Sequence, residues 1–209
     1  MNNHQLINQT SGITEYYTDP KIVRPAQVMA GVFDLDPASS YKANRTIQAE
    51  KFIPEPAFHI LEYRGTLPVR KYENAGGLDH NWYGTIWMNH PFGNPIYPCE
   101  LNCQKITCAK RGWHTASYIP GNADWIRKLI GEYKRGRVTE AFCLTFAATS
   151  EAWFRPLLDH LQCFLVPRTN YYTPDGKIKK GITKGSVVTY LGTRKAEFKN
   201  AYSRLGVVK

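Results

Sequence analysis

The sequence contains no run of 18 apolar residues, so no part of it reads as a membrane-spanning helix. It has no internal repeat and no low-complexity stretch, which argues against a solenoid or a fibrous chain. The opening stretch "MNNHQLINQTSG" lacks a basic-then-apolar signal, so secretion is not expected, and residues 1–14 read as a flexible arm. Cysteine is sparse. An odd total of five argues against a disulfide framework and for a reducing cytoplasm. Acidic residues are also few, with 17 Asp and Glu against 27 Lys and Arg, giving a net charge of +10.

What is present fits a globular chain of 209 residues with 43% apolar and 13% aromatic residues, enough for one substantial core. The positive charge is concentrated: from Arg168 onward, ten Lys and Arg face two acidic residues. Such a region suits a polyanion, most simply nucleic acid, although a soluble basic surface has the same composition.

The pattern alternates strands and helices. "YYTDPKIVRPAQVMAG" reads as a turn that continues into a short helix ending near Gly31, and "VFDLDPAS" as a short buried strand ending in acidic residues and Pro37. "WYGTIW" is a strand. Asn122 is expected to cap a helix carrying Trp125, Ile126, Leu129, Ile130 and Tyr133. "AFCLTFAA", "QCFLVP" and "SVVTYLG" read as strands, while "SEAWFRPLLDH" and "RKAEFKNAYSRLG" read as helices. Strands apolar throughout predict an α/β sheet with helices on both faces. Residues 54–81 and 94–121 mix Pro, Gly, Cys and charge and are expected to be irregular excursions.

The candidate chemistry begins at Asn89-His90-Pro91-Phe92, directly after a strand. An exocyclic amine on a nucleobase is a poor nucleophile because its lone pair is delocalised into the ring. Two acceptors on its N–H groups draw that pair back: the Asn89 side chain and the main-chain carbonyl of His90. Pro91 fixes the turn, and Phe92 offers a stacking face. Flipping a base out costs roughly a few kcal/mol, and an aromatic stack returns about 1–3 kcal/mol. Read alone, the four residues are equally a strand-ending turn. In "FDLDPASS", Asp34 and Asp36 can accept from a ribose hydroxyl or an amino group, and Pro37, Ala38 and Ser39 allow close backbone approach. No G-x-G stands there, which disfavours a dinucleotide. A polar turn capping the next helix is the alternative.

Several stretches together resemble phage-type (Dam-like) DNA N6-adenine methyltransferases: "YYTDPKIV", "GVFDLDPASSYKANRTIQAEKF", "GGLDHNWYGTIWMNHPFG", "ATSEAWFRPLLDHLQCFLVPRTNY", "PDGK", "KGSVVTYLG" and "EFKNAYSRLGVV". The resemblance runs from about Glu15 to the C-terminus and implies a single Rossmann-like, S-adenosylmethionine-dependent domain acting on adenine in DNA. It implies a host bacterium's cytoplasm for a phage-encoded chain. Tyr17, Thr18 and Pro20 match the family's cofactor segment, with Asp19 in place of a proline. Asp34, Asp36, Pro37, Ala38 and Ser39 match its acidic strand-turn. Asn89, Pro91 and Phe92 match its catalytic turn, where His90 departs from the usual proline. Arg168 matches a family arginine, expected at phosphate or a cofactor loop.

Finally, Cys99, Cys103, Cys108 and His114 form C-x3-C-x4-C-x5-H, a donor set suited to Zn²⁺, although loop cysteines without metal have the same spacing. With Lys105, Lys110 and Arg111 nearby, a metal-pinned basic loop is expected to read DNA. Cytosine-N4 methylation and a non-catalytic nucleic-acid-binding role on a decayed methyltransferase fold are the competing readings.

Overall fold

A computed structural model describes residues 17–173, 175–179 and 184–209. The expected arm at 1–14 lies outside the described residues. In chain order the elements are β1 (Tyr17–Thr18), α1 (Pro20–Ala30), β2 (Leu35–Ser39), α2 (Tyr41–Ile47), β3 (Lys51–Pro54), β4 (Phe58–Arg64), β5 (Leu67–Tyr72) and β6 (Gly84–Met88). There follow α3 (Ile106–Arg111), β7 (His114–Thr115), α4 (Asn122–Lys134), β8 (Val138–Phe146), β9 (Leu161–Leu165), β10 (Tyr171–Tyr172), β11 (Ile178–Lys179), β12 (Ser186–Leu191), α5 (Lys195–Tyr202) and β13 (Gly206–Val208). No helix among the described residues is long and apolar enough to cross a membrane.

The expected α/β architecture is present as a seven-stranded mixed sheet in the order β13-β9-β12-β8-β6-β2-β3. From β3 through β2, β6 and β8 the strands are parallel. β12 then runs against both its neighbours, β8 and β9. Successive strand residues point to opposite faces. Trp87, Phe142, Leu144, Val188 and Tyr190 bury against Ile22, Val23, Ala26 and Met29 of α1 and Phe198 and Tyr202 of α5. Ile86, Met88, Ala141, Cys143, Val187 and Leu191 bury against Trp125, Ile126 and Leu129 of α4, with Phe154 and Leu157. Both faces are therefore covered, which is why these strands read as unbroken apolar runs.

Local chemistry sets the element ends. The Asp19 carboxylate accepts the Lys21 amide at 2.9 Å, and Pro20 takes the first helical position of α1. For α4 the expectation is corrected. Gly121, not Asn122, holds the cap position, its amide donating to Asp124 at 2.9 Å, and Asn122 opens the helix. "SEAWFRPLLDH" is also corrected: it forms turns around a short 3₁₀ segment, Arg155–Leu157. Pro156 has no amide to donate and obstructs a continuing α-helix.

The two excursions are not irregular. Residues 54–81 contain the β4–β5 hairpin, turned by two residues with Gly65 (φ 61) first. Residues 94–121 contribute α3 and β7. β7 pairs in parallel with β5, so Val69 faces His114 and Arg70 faces Thr115. The excursions thus make one three-stranded insert, β4-β5-β7.

Candidate functional site

The chain leaves β2 for β3 on one side and then, after β4 and β5, crosses back to β6 on the other side of β2, a topological switch point. In open α/β sheets, ligands bind outside the carboxyl ends of the strands at such a point. Those ends are Asp36–Ser39 on β2 and Asn89–Gly93 just after β6. Between them opens a cleft of about 310 Å³, inside the range of roughly 300–1,000 Å³ usual for small-molecule sites. Tyr17, Thr18, Asp36, Pro37, Ala38 and Ser39 line it together with Asn89, His90, Pro91 and Phe92.

The two expected halves of the site also touch. The Asn89 side-chain nitrogen donates to the Thr18 hydroxyl at 3.0 Å, which fixes the amide plane against β1. Phe92 packs on Phe146 at the carboxyl end of β8, ring centroids 4.4 Å apart, with Tyr171 edge-on at 6.2 Å. His90 is buried. Its ring stacks on Trp125 at 6.0 Å, and its Nε2 lies 3.0 Å from Asn122 Oδ1. That oxygen also accepts the Gly93 amide at 3.1 Å. Burial lowers the His90 pKa to about 4, with the Asn122 bond opposing. The imidazole is therefore neutral, with its proton on the nitrogen facing Asn122.

Asp36 is 2% exposed, and burial raises its carboxyl to about 7 despite contacts with Ser39 and the Ala38 amide. A ligand donor placed there meets an acceptor poised between its protonation states. The backbone beneath is tight: a Cβ on Gly77 would lie 1.8 Å from the Pro37 carbonyl oxygen, so only glycine fits under this turn.

Three residues expected at the cofactor fall outside the cleft lining. Asp19 and Pro20 start α1, as described above. Asp34 lies just before β2, where its carboxylate accepts the Thr85 amide at 2.6 Å and occupies the space a side chain at Gly84 (φ 65) would need. It ties β2 to β6. Arg168 stands exposed beyond β9, outside the lining.

The insert closes the other side of the cleft with Phe58, Arg70, Tyr72, Arg111, Trp113 and Tyr118, none anticipated as lining residues. The two β-branched and aromatic stretches on either side of Gly65 in "FHILEYRGTLPVRKY" were the available sign of a hairpin. On the same insert, the donor atoms of Cys99, Cys103, Cys108 and His114 all lie within 4.8 Å of one another, a group able to hold a metal ion. Cys108 Sγ stands 3.6 Å from Cys99 Sγ and 3.7 Å from Cys103 Sγ. A tetrahedral ion with bonds of about 2.3 Å separates its sulfurs by about 3.8 Å, so the spacing suits one. Buried His114 Nδ1 has no hydrogen-bond partner among the described residues, as suits a nitrogen reserved for a metal.

No protein-family model, curated protein or solved structure matches the chain.

Proposed function

We propose that the chain is an S-adenosylmethionine-dependent DNA methyltransferase acting on N6 of adenine, on a Rossmann-like sheet. The observation that carries this reading is the adjacency of two turns at the switch point: the buried acidic turn Asp36–Ser39 and the amide-bearing turn Asn89–Phe92, in one cleft and joined through Thr18.

When bound, S-adenosylmethionine supplies an electrophilic sulfonium methyl. The chain's residues do the rest. Asp36 accepts from a hydroxyl or amino group of the donor, while Pro37, Ala38 and Ile53 give its ring an apolar bed. The Asn89 side-chain carbonyl and the His90 main-chain carbonyl accept the two N–H groups of the target amine, localising its lone pair toward the methyl. Phe92, braced by Phe146, stacks the flipped base and offsets part of the cost of flipping. Neutral His90 serves as a brace, not as a base. The amine proton leaves after the methyl arrives, so no general base is required early.

Zinc is the metal the insert's donor set suits. Three thiolates and one imidazole make a closed structural site, with no position open for a reacting water. Its role is to hold the insert in place.

The test is labelled-methyl transfer to unmethylated DNA, followed by nucleoside analysis. Wild type yields N6-methyladenine, and Asn89→Ala loses about a hundredfold or more in rate, the usual effect of removing a preorganised polar group from the transition state. Equal labelling by both proteins would overturn the role of Asn89. N4-methylcytosine as the product would overturn the adenine assignment.

A further inference from the structure

We propose that Arg70 and Arg111, both stacked on Trp113, grip the phosphodiester strand at the mouth of the cleft, and that the metal centre is the device that positions them. This rests on the reading of nucleic acid as substrate and deepens it by identifying the wall that holds the strand.

The cations form a stacked set. The Arg70 guanidinium carbon lies 4.3 Å from the Phe58 ring centroid and 4.8 Å from that of Trp113. The Arg111 guanidinium carbon lies 4.0 Å from the same Trp113 centroid. All four residues line the cleft. Among the described residues neither arginine forms an ion pair. Arg70 Nε is buried there without a hydrogen-bond partner. Two like charges sharing one ring repel, and a structural pair of arginines is normally given a carboxylate. Here the rings hold the guanidinium planes, and Glu55, which lines the same cleft, makes no ion pair with either arginine. A guanidinium stacked by its face keeps in-plane N–H groups for a phosphate oxygen, and arginine binds phosphate through such groups. The opposite wall holds Asn89 and Phe92, so a strand with one base turned toward Phe92 would run its backbone past these two cations.

The metal donors bracket this set in the chain. Cys108 lies three residues before Arg111, and His114 immediately follows Trp113. Arg111 Nη2 reaches Cys108 Sγ at 3.5 Å, and its Nε donates to the Trp113 carbonyl at 3.2 Å, leaving Nη1 for a ligand. His114 pairs with Val69, beside Arg70 on β5. Both arginines are thus tied to the metal donors, one along the chain and one across the sheet. The helix that carries Cys108 and Arg111, α3, is only six residues long and cannot hold the wall by itself.

The experiment titrates a short fluorescein-labelled DNA duplex of mixed sequence with the full chain as purified, by anisotropy over a salt series. Arg70→Gln and Arg111→Gln each weaken binding about tenfold, and each reduces the magnitude of the salt slope by about 0.9, the signature of one lost phosphate contact. S-adenosylmethionine affinity by calorimetry stays at the wild-type value. Cys103→Ser, or stripping the metal with a chelator, gives the loss of an Arg70→Gln/Arg111→Gln double variant, and adding Cys103→Ser to that double variant weakens binding no further. Should a Gln variant not fold by circular dichroism, Arg70→Lys and Arg111→Lys replace it. These keep the charge and the slope but lose affinity several-fold with the planar fork. Wild-type affinity and slope in the arginine variants overturn the grip. Unchanged DNA binding after metal removal overturns the positioning role. If wild type transfers no methyl group while DNA binding still depends on both arginines, the methyltransferase reading falls and this one stands. If wild type methylates DNA while the arginine variants bind it normally, the reverse holds.

Discussion

Asn122 Oδ1 lies 3.0 Å from His90 Nε2 and takes the Gly93 amide as well, so one side chain on α4 ties together the turn that carries Asn89. Proline at position 90 would stiffen this turn through its fixed φ. Histidine stiffens it through an anchored ring, held by Asn122 and stacked on Trp125. Removing the Asn122 carbonyl strands two donors, one of them buried, each at a cost of about 1–3 kcal/mol. Asn122→Ala is therefore expected to lower unfolding stability by about 2–4 kcal/mol in denaturant titrations. It is also expected to slow methyl transfer more than it weakens S-adenosylmethionine binding.

His90 and Asp36 give opposite pH dependences. Burial holds His90 at about 4, below the ordinary 6.5 it has when unfolded, so its contribution is intact above 6.5 and is lost as pH falls toward 4. Burial holds Asp36 at about 7, above its ordinary 3.8, so its contribution is intact below 3.8 and is lost as pH rises through 7. Between about 4 and 6.5 the two slopes oppose each other. Asp36→Asn exposes the histidine slope, with stability falling by up to roughly 3 kcal/mol on acidification across that window. His90→Phe exposes the opposite slope. Urea unfolding at several pH values checks this. Two variants with the same pH dependence as wild type would refute it.

Ligand donors on Asp36 favour its carboxylate. Below about pH 7, S-adenosylmethionine binding is expected to release close to one proton, so affinity rises with pH by up to tenfold per unit and levels off above 7. Calorimetry in two buffers of different ionisation enthalpy measures the proton directly. Asp36→Asn abolishes both the release and the pH dependence.

The insert is expected to carry one zinc ion. Elemental analysis of protein purified without added metal should find close to one equivalent. Less than a tenth of an equivalent would refute the assignment. Chelation should lower the melting temperature and expose Cys99 and Cys103 to thiol reagents. Cys143 and Cys163 stay unreactive, since both are fully buried in the sheet and burial raises their thiols.

The parts legible in the sequence were those in which chemistry and periodicity share a short stretch. "FDLDPASS" and "NHPF" each join an apolar strand to a turn, and both turns line the cleft. Their adjacency depends on the parallel pairing of Leu35 with Ile86, a contact no local pattern encodes. Asp34 and Asp36 look equivalent in sequence. They differ because one precedes the strand and braces β6 while the other lies within it and lines the cleft. The β4–β5 hairpin was hidden because β4 is exposed on both faces and Pro68 interrupts β5, so the apolar alternation that marks a strand is missing. Arg70 and Trp113 as neighbours follow from β5 meeting β7, across more than forty residues.

That meeting of β5 and β7 has a consequence for descent. The wall of the cleft is drawn from two stretches that flank β6 and the Asn89 turn on either side. No single crossover or deletion can exchange the wall and leave the turn behind, because the turn lies between its two halves. Recombination carries both as one block, and the wall can change on its own only by substitution, one residue at a time.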